Sequence, residues 1–430
     1  MTYTQITPFV HLIANSIDRK KLEIEIVMTA GGSIFEQETQ ATNDRGRKHL
    51  MEHCIATRTQ SMDMKTFKDW QFKNSIMVNA YTSPMLLAVN ATTHPTKFKE
   101  ALGVCLEMIF NPCFDQEVLD QEREIVLREI SERSGNPDYI TYYYAMDKVF
   151  AEGSLERHQT LGSSEAVAQT TVSDMVRLHT QNLQNSHIII KVSGGGIDTD
   201  YLNTQIQNFL DQTKLLTITD ILDSKHKLAV DYKPKNQLNS FTYQPIVHEL
   251  AHQHSEITIF VPCSVNFENK ASRKIFDELF LRFYGKLYHR LRDEKGYIYS
   301  MYSQFRDDLQ MLEINLSCEI EYISAIKEQI LDIFGDWNKY FDQTKFLEFK
   351  SLIKLKLDMA NDSINAITKF CESNLVEYGL VQSFEEYELS LDTVTQADIE
   401  KIYDELTQNL TKMQIVAVSK DEKINTVFEK

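Results

Sequence analysis

The 430-residue sequence predicts an α+β protein built from two tandem, similar α/β-sandwich domains. Three observations lead there. The length exceeds one ordinary core and suits two domains of about 200 residues each. Strand-like alternation is interleaved with amphipathic helical spacing. An internal repeat is also visible, since FDQEVLDQEREIVLREIS (114–131) returns as FDQTKFLEFKSLIKLKLDM (341–359), 227 residues on from the shared Phe-Asp-Gln. The same offset lays FDELF (276–280) over HLMEH (49–53) and finds a rough partner for strand 22–30 in 255–263.

Each element follows from its local pattern. LEIEIVMTAGG (22–32) alternates apolar and polar residues and then meets glycines, a strand and a turn. RKHLMEHCIATR (47–58) has helical spacing. SIMVNAYT (75–82) and LLAVNATTH (86–94) read as neighbouring strands around Ser83-Pro84. KFKEALGVCLEMIFN (97–111) is an amphipathic helix ended before Pro112, and FDQEVLDQEREIVLREISERS (114–134) is another, charged on one face. HIIIKVSGG (187–195) is a short buried strand. The polar, aperiodic stretch 212–246 predicts a linker, which divides the chain into a first domain over 1–215, a linker over 216–246 and a second domain over 247–430. Beyond it come a strand at SEITIFVPC (255–263), a helix over 274–296, a strand at LEINLSCEIEY (312–322) and a long helical stretch through 340–380.

Composition narrows the function. A net charge of −17 argues against a binder of nucleic-acid phosphates, which needs a basic face, and suits a chamber that attracts basic peptides. No apolar run approaches bilayer length, and the first residues lack the pattern of a signal or transit peptide, so no membrane partner is expected. The six cysteines are scattered without CxxC pairing and read as free thiols of a reducing compartment. The expected location is cytoplasmic.

Two stretches offer metal chemistry: KHLMEHC (48–54) and VHELAHQ (247–253). In the first, His49 and His53 are four apart and share a helix face, so both imidazoles can meet one ion. Zinc suits that pair and needs a third protein ligand plus an open position. Glu52 lies one step off the ligand face, placed to reach a water rather than the metal, which gives the inverted order HxxEH. Helix 114–134 supplies Glu122 and Glu129, seven apart and on one face. Glu129 is the expected ligand and Glu122 a carboxylate two turns away that orients a histidine or the site water. Where copy one has His49, His53 and Glu129, copy two has Phe276, Phe280 and Lys356, so the metal is expected in the first domain only.

The second stretch matches HExxH, but its surroundings oppose a zincin. A glutamate about nineteen residues past His252 is required, and position 271 is Ala271. Pro245 upstream and SEITIF downstream leave room for one or two turns at most. A linker leading into the next strand is the expected role, with His254 exposed. His94, His158 and His187 are single and unmatched, and EEYE (385–388) reads as a solvated helix face.

The order of motifs resembles the pitrilysin/insulinase family of inverted-motif zinc peptidases, which includes the mitochondrial processing peptidase. The matching segments are AGGSIFE (30–36), Gly46, HxxEH, Asn79-Ala80-Tyr81-Thr82, Glu122-Arg123 through Glu129, LGSSEAV (161–167) and LRDEKGYIYS (291–300). The resemblance implies two processing-peptidase-like domains, each a mainly antiparallel sheet packed with helices. It implies a zinc endopeptidase with His49, His53 and Glu129 on the metal, Glu52 as general base, and Arg292 and Tyr299 contacting substrate. It further implies substrate contact at Asn79 and Ala80, and a closed chamber completed by a second subunit in a homodimer or a heterodimer with a homologue. Lys48, Ala56 and Arg58 depart from the family pattern. A non-catalytic structural or peptide-binding member of the same fold is the alternative.

Overall fold

The computed structural model describes residues 1–33, 35, 45–133, 136–151, 157, 160–212, 239, 241–250, 253–307 and 309–428. Two compact units emerge, each with its own sheet, and the sheets are mainly antiparallel as the motif resemblance implied.

The first unit holds a six-stranded sheet of β1 (Thr2–Thr7), β2 (Val10–Ser16), β3 (Leu22–Met28), β4 (Met77–Thr82), β5 (Leu87–Thr93) and β6 (Ile188–Gly194), ordered β1-β2-β6-β3-β5-β4. Only β2 and β6 pair in parallel. Alternation assigns the two faces. Leu22, Ile24, Ile26 and Met28 share a core with Leu87, Val89, Ala91 and the helix Phe98–Phe110, while Ile13, Val27, Ala88 and Ile189 face the opposite way. The second unit holds five strands, β7 (Tyr243–Val247), β8 (Ser255–Pro262), β9 (Ile298–Arg306), β10 (Met311–Cys318) and β11 (Gln414–Ser419), ordered β7-β11-β8-β10-β9.

The units are not consecutive blocks of sequence. The first comprises Met1–Ser131, His158–Lys233 and Ala360–Phe384, and the second Glu132–Arg157, Pro234–Met359 and Glu385–Lys430. The division into 1–215 and 247–430 therefore misses an exchange of helices. Helix Ala366–Tyr378 sets Cys371, Leu375 and Val376 on Ile13, Val27 and Ile189 of the first sheet. Helix Pro137–Val149 sets Ala145, Met146 and Val149 on Phe260, Met311 and Val416 of the second. The cause is hydrophobic: strands such as Ile188–Ile190 are apolar on both faces, so each sheet needs helices on both.

Three further expectations need correction. The linker over 216–246 ends too late, because Tyr243–Val247 forms β7, paired in parallel with β11; residues 216–238 lie outside the described residues. Helix 274–296 is not continuous: Lys270–Phe276 widens into a π-helical turn at Asp277–Leu281, and helix resumes only after Gly285, where a Cβ would stand 2.6 Å from Leu281 N. The stretch 340–380 breaks into Trp337–Tyr340, Gln343–Ala360 and Ala366–Tyr378.

Candidate metal centre

The motif helix, Arg47–Thr57, starts at Gly46 with φ +90°. A Cβ on Gly46 would lie 2.3 Å from Leu161 O, and one on Gly162 (φ +67°) would lie 2.2 Å from Gly46 N. Only glycines permit this close approach. It docks the turn before LGSSEAV onto the start of the motif helix, with Ser163 N–H donating to Arg45 O at 3.3 Å. Leu50, Met51, Cys54 and Ile55 then bury into the core, which turns His49, Glu52 and His53 toward the glutamate helix Gln116–Arg133.

There the donors converge. His49 Nε2 is 3.2 Å from Glu129 Oε2 and His53 Nε2 is 3.8 Å from the same oxygen. One ligand atom from each of His49, His53 and Glu129 lies within 4.8 Å of the others, a cluster unmatched among the described residues. The imidazole rings meet edge to face, centroids 4.8 Å apart. Two ligands about 2.1 Å from a tetrahedral zinc stand roughly 3.4 Å apart, so the observed spacing fits such an ion with little movement. His49 Nδ1 is buried with no hydrogen-bond partner, and sits 3.3 Å from Glu52 Oε2 in poor alignment. The neighbourhood is thus rich in negative charge and waiting for positive charge.

Glu122 stands behind His53. Its Oε2 is 3.1 Å from His53 Nδ1, which assigns the proton to Nδ1 and leaves Nε2 as a donor for a metal. Thr57 Oγ1 donates to Glu122 Oε1 at 3.0 Å. Burial opposes protonation of His53, but the Glu122 hydrogen bond and the charges of Glu52, Glu129 and Glu122 outweigh it and raise its pKa. Glu52 is buried and accepts a long bond from Thr82 Oγ1, 3.4 Å. Thr82 closes the Asn79-Ala80-Tyr81-Thr82 segment, but the sequence assigned no role to it or to Thr57, since hydroxyls four or thirty residues from a motif carry no periodic signal.

The residues that depart from the family pattern have structural partners. Lys48 is buried and donates to Ala30 O at 2.8 Å, and Arg58 pairs with Asp115. In the second unit the matching positions are closed to a metal. Phe276 and Phe280 stack with centroids 4.8 Å apart, the same separation as the histidine rings, and Lys356 Nζ donates to buried Glu278 at 2.8 Å. An ammonium and two phenyl rings stand where the first unit has ligands.

Asn79 and Ala80 lie on β4, the edge of the first sheet, opposite Asn90 and Val89. Val78 N–H turns away from β5 to Gln71 Oε1 (3.0 Å), so by the two-residue alternation the Ala80 backbone also faces outward. Arg292 and Tyr299 both belong to the second unit and are exposed. Arg292 Nη1 donates to Ile298 O at 2.5 Å, and Tyr299 OH to Glu319 Oε1 at 2.6 Å.

The second histidine motif forms no helix over its described part. His248 N–H donates to Ser419 O at 2.9 Å, continuing β7, and residues 251–252, which include His252, lie outside the described residues, as does His158. Two histidines behave differently from expectation. His254 is half-buried rather than exposed, its ring lying tilted against that of Tyr299. His187 is not single: its Nδ1 meets buried His11 Nε2 at 2.8 Å.

Fold and donor set together define a two-unit α+β protein with an inverted HxxEH donor cluster in its first unit. Residues 14–161 match the model of the insulinase family, peptidase family M16. Among curated relatives, an "uncharacterized zinc protease" of Rickettsia felis is 18% identical over 392 residues, covering 91% of each chain. A probable mitochondrial-processing peptidase subunit beta of Arabidopsis thaliana is 23% identical over 180 residues, 42% of this chain and 33% of that one, so this match spans about a third of the relative. Among solved structures, a protease from Helicobacter pylori superposes with TM-score 0.76 at 15% identity over 97% of this chain and 99% of that one. The "peptidase M16 inactive domain" of Pseudomonas fluorescens gives 0.74 at 15% over 95% and 94%. The match to the insulinase family thus lies within the first part of the chain, and these solved structures share the fold of the whole.

Proposed function

We propose that the chain is a zinc-dependent endopeptidase that cleaves peptides or unfolded polypeptide segments inside a closed chamber formed with a second subunit. The observation that carries this reading is the convergence of His49, His53 and Glu129 within 4.8 Å, with Glu52 beside them. Bound by those three side chains, zinc supplies Lewis acidity toward water and the scissile carbonyl. Glu52 takes the proton of the attacking water and returns it to the departing amine. Its burial and its bond from Thr82 hold the carboxylate in place for that transfer. Glu122 keeps His53 in the tautomer and orientation that a cation needs. The outward backbone of Ala80 can pair with an extended peptide as an added strand, with the Asn79 side chain alongside, which leads the peptide along the strand that ends at Thr82, beside Glu52. Arg292 and Tyr299 anchor that peptide.

The second subunit is a second copy of the chain or a homologue. Six free cysteines, five of them buried, suit a reducing, cytoplasmic setting.

Metal analysis of the purified chain, with peptidase assays on a basic peptide library before and after chelation, tests the reading. One zinc per chain and cleavage abolished by the chelator and by Glu52→Gln are expected. Zinc without cleavage of any peptide would instead favour a non-catalytic, peptide-binding member of the same fold.

A further inference from the structure

Tyr299 is held by more than its strand. Strands β9 and β10 pair in step as far as Ser300 opposite Ser317, and then Cys318 faces Ile298. Tyr299 is therefore the extra residue of a β-bulge, a device that re-aims a side chain. Its hydroxyl donates to Glu319 Oε1 at 2.6 Å. His254 Nδ1 approaches the same oxygen at 3.2 Å, and the imidazole lies against the phenol ring, tilted 35° to it, with centroids 3.8 Å apart. The register explains the meeting, since Ser255 opposes Cys318 and the residues just beyond them, His254 and Glu319, are brought together at the sheet's end. Tyr299 nevertheless stays 46% exposed. A ring fixed from two sides but left open to solvent is arranged for contact rather than for packing.

The bond also fixes a polarity. The Glu319 contact raises the Tyr299 phenol above its ordinary pKa and the Tyr299 contact lowers the Glu319 carboxyl, so the proton stays on the phenol and points at the carboxylate. What Tyr299 presents outward is the lone pairs of its oxygen. We infer that Glu319 and His254 are positioning residues that hold Tyr299 as a hydrogen-bond acceptor for a main-chain N–H of the bound peptide, not as a donor to the reacting carbonyl. This rests on the endopeptidase reading for its substrate and assigns Tyr299 to binding rather than to stabilising charge in the transition state.

The two roles separate kinetically. An anchor made equally in ground and transition states changes KM at constant kcat, whereas a donor to the developing oxyanion changes kcat. We expect Glu319→Ala and His254→Ala to raise KM for a labelled, unstructured Lys- and Arg-rich peptide roughly tenfold, with kcat nearly unchanged. Glu319→Gln, which keeps an acceptor oxygen, and His254→Phe, which keeps the ring contact, should recover most of the loss. The same substitutions in a Glu52→Gln chain should weaken equilibrium binding of the same peptide by the same factor, a reading that needs no turnover. An unsubstituted chain that binds the peptide but does not cleave it sinks the endopeptidase reading and leaves this assignment to the binding constants. Unchanged KM and affinity in both alanine variants, a fall in kcat at constant KM, alanine and conservative variants that behave alike, or no peptide binding at all would overturn it.

Discussion

His53 has two ring nitrogens and a different task for each. Nδ1 faces Glu122 at 3.1 Å and Nε2 faces the cluster of donors. Removing Glu122 leaves the tautomer unguided, while Thr57 Oγ1 keeps the His53 carbonyl as an acceptor at 2.8 Å. Glu122→Ala should therefore weaken zinc binding about 10- to 100-fold while Glu129 and the histidines remain, as read by competition with a fluorescent chelator. Removing Glu129 itself should abolish binding. At the first sheet's edge, buried His11 sits between Tyr3 Oη (3.0 Å) and His187 Nδ1 (2.8 Å), and burial pulls its pKa down to about 4. The folded chain keeps it neutral where the unfolded chain, with an ordinary value near 6.5, takes up a proton. Its contribution is thus intact above about pH 6.5, is lost as pH falls toward about 4, and changes no further below that. Urea unfolding at a series of pH values should show stability falling by at most about 3 kcal/mol across that window from this residue, and His11→Phe should flatten the slope. The clustered donors His49, His53 and Glu129 were legible in the sequence because spacings of four and seven place side chains on one helix face. Thr57, Thr82 and the His11–His187 contact were not, because nothing local couples residues that meet only after folding.

Among the elements, strands were legible where one face is buried and the other polar, as in β3, β8 and β10. Strand β1 (TYTQIT) is a polar edge, and β11 (QIVAVS) is buried along its whole length, so neither shows the alternation that reveals a strand. The helix Ala366–Tyr378 shows what the exchange of helices requires electrostatically. It lowers Glu372 onto buried Lys191, whose ammonium also lies 3.0 Å from Glu25, and Tyr81 OH donates to Glu25 at 2.5 Å. Burial raises the Glu372 carboxyl despite the nearby lysine. Lys191→Met would strand two carboxylates under the helix and should cost about 3–5 kcal/mol in chemical denaturation. Adding Glu372→Gln, which needs no counter-charge, should recover part of that loss; equal stability of the two variants would show that the pair does not hold the helix.

For the whole molecule, the offset read from a shared Phe-Asp-Gln relates side chains of the two units. Ring pairs 227 residues apart have matching separations, one pair in a donor cluster and the other beside a lysine. Among the described residues, a single chain has one donor set in its first unit, and it carries the Arg292/Tyr299 pair in its second. If a second subunit completes each chamber, mixing Arg292→Ala chains with Glu52→Gln chains should yield more peptidase activity than either alone. Activity that never exceeds the better parent would place both elements of a working site in one chain or exclude the second subunit.

The sequence alone determined the α+β class, the repeat, the donor residues and their confinement to the first copy. Those are consequences of periodicity and of ligand chemistry, which act along a single helix or between aligned copies. The tertiary structure decided which helix covers which sheet, which hydroxyls steady Glu52 and Glu122, and that His254 serves Tyr299 rather than standing in solvent. Such partnerships depend on burying both faces of a sheet and on strand register, and neither is set until distant segments pack.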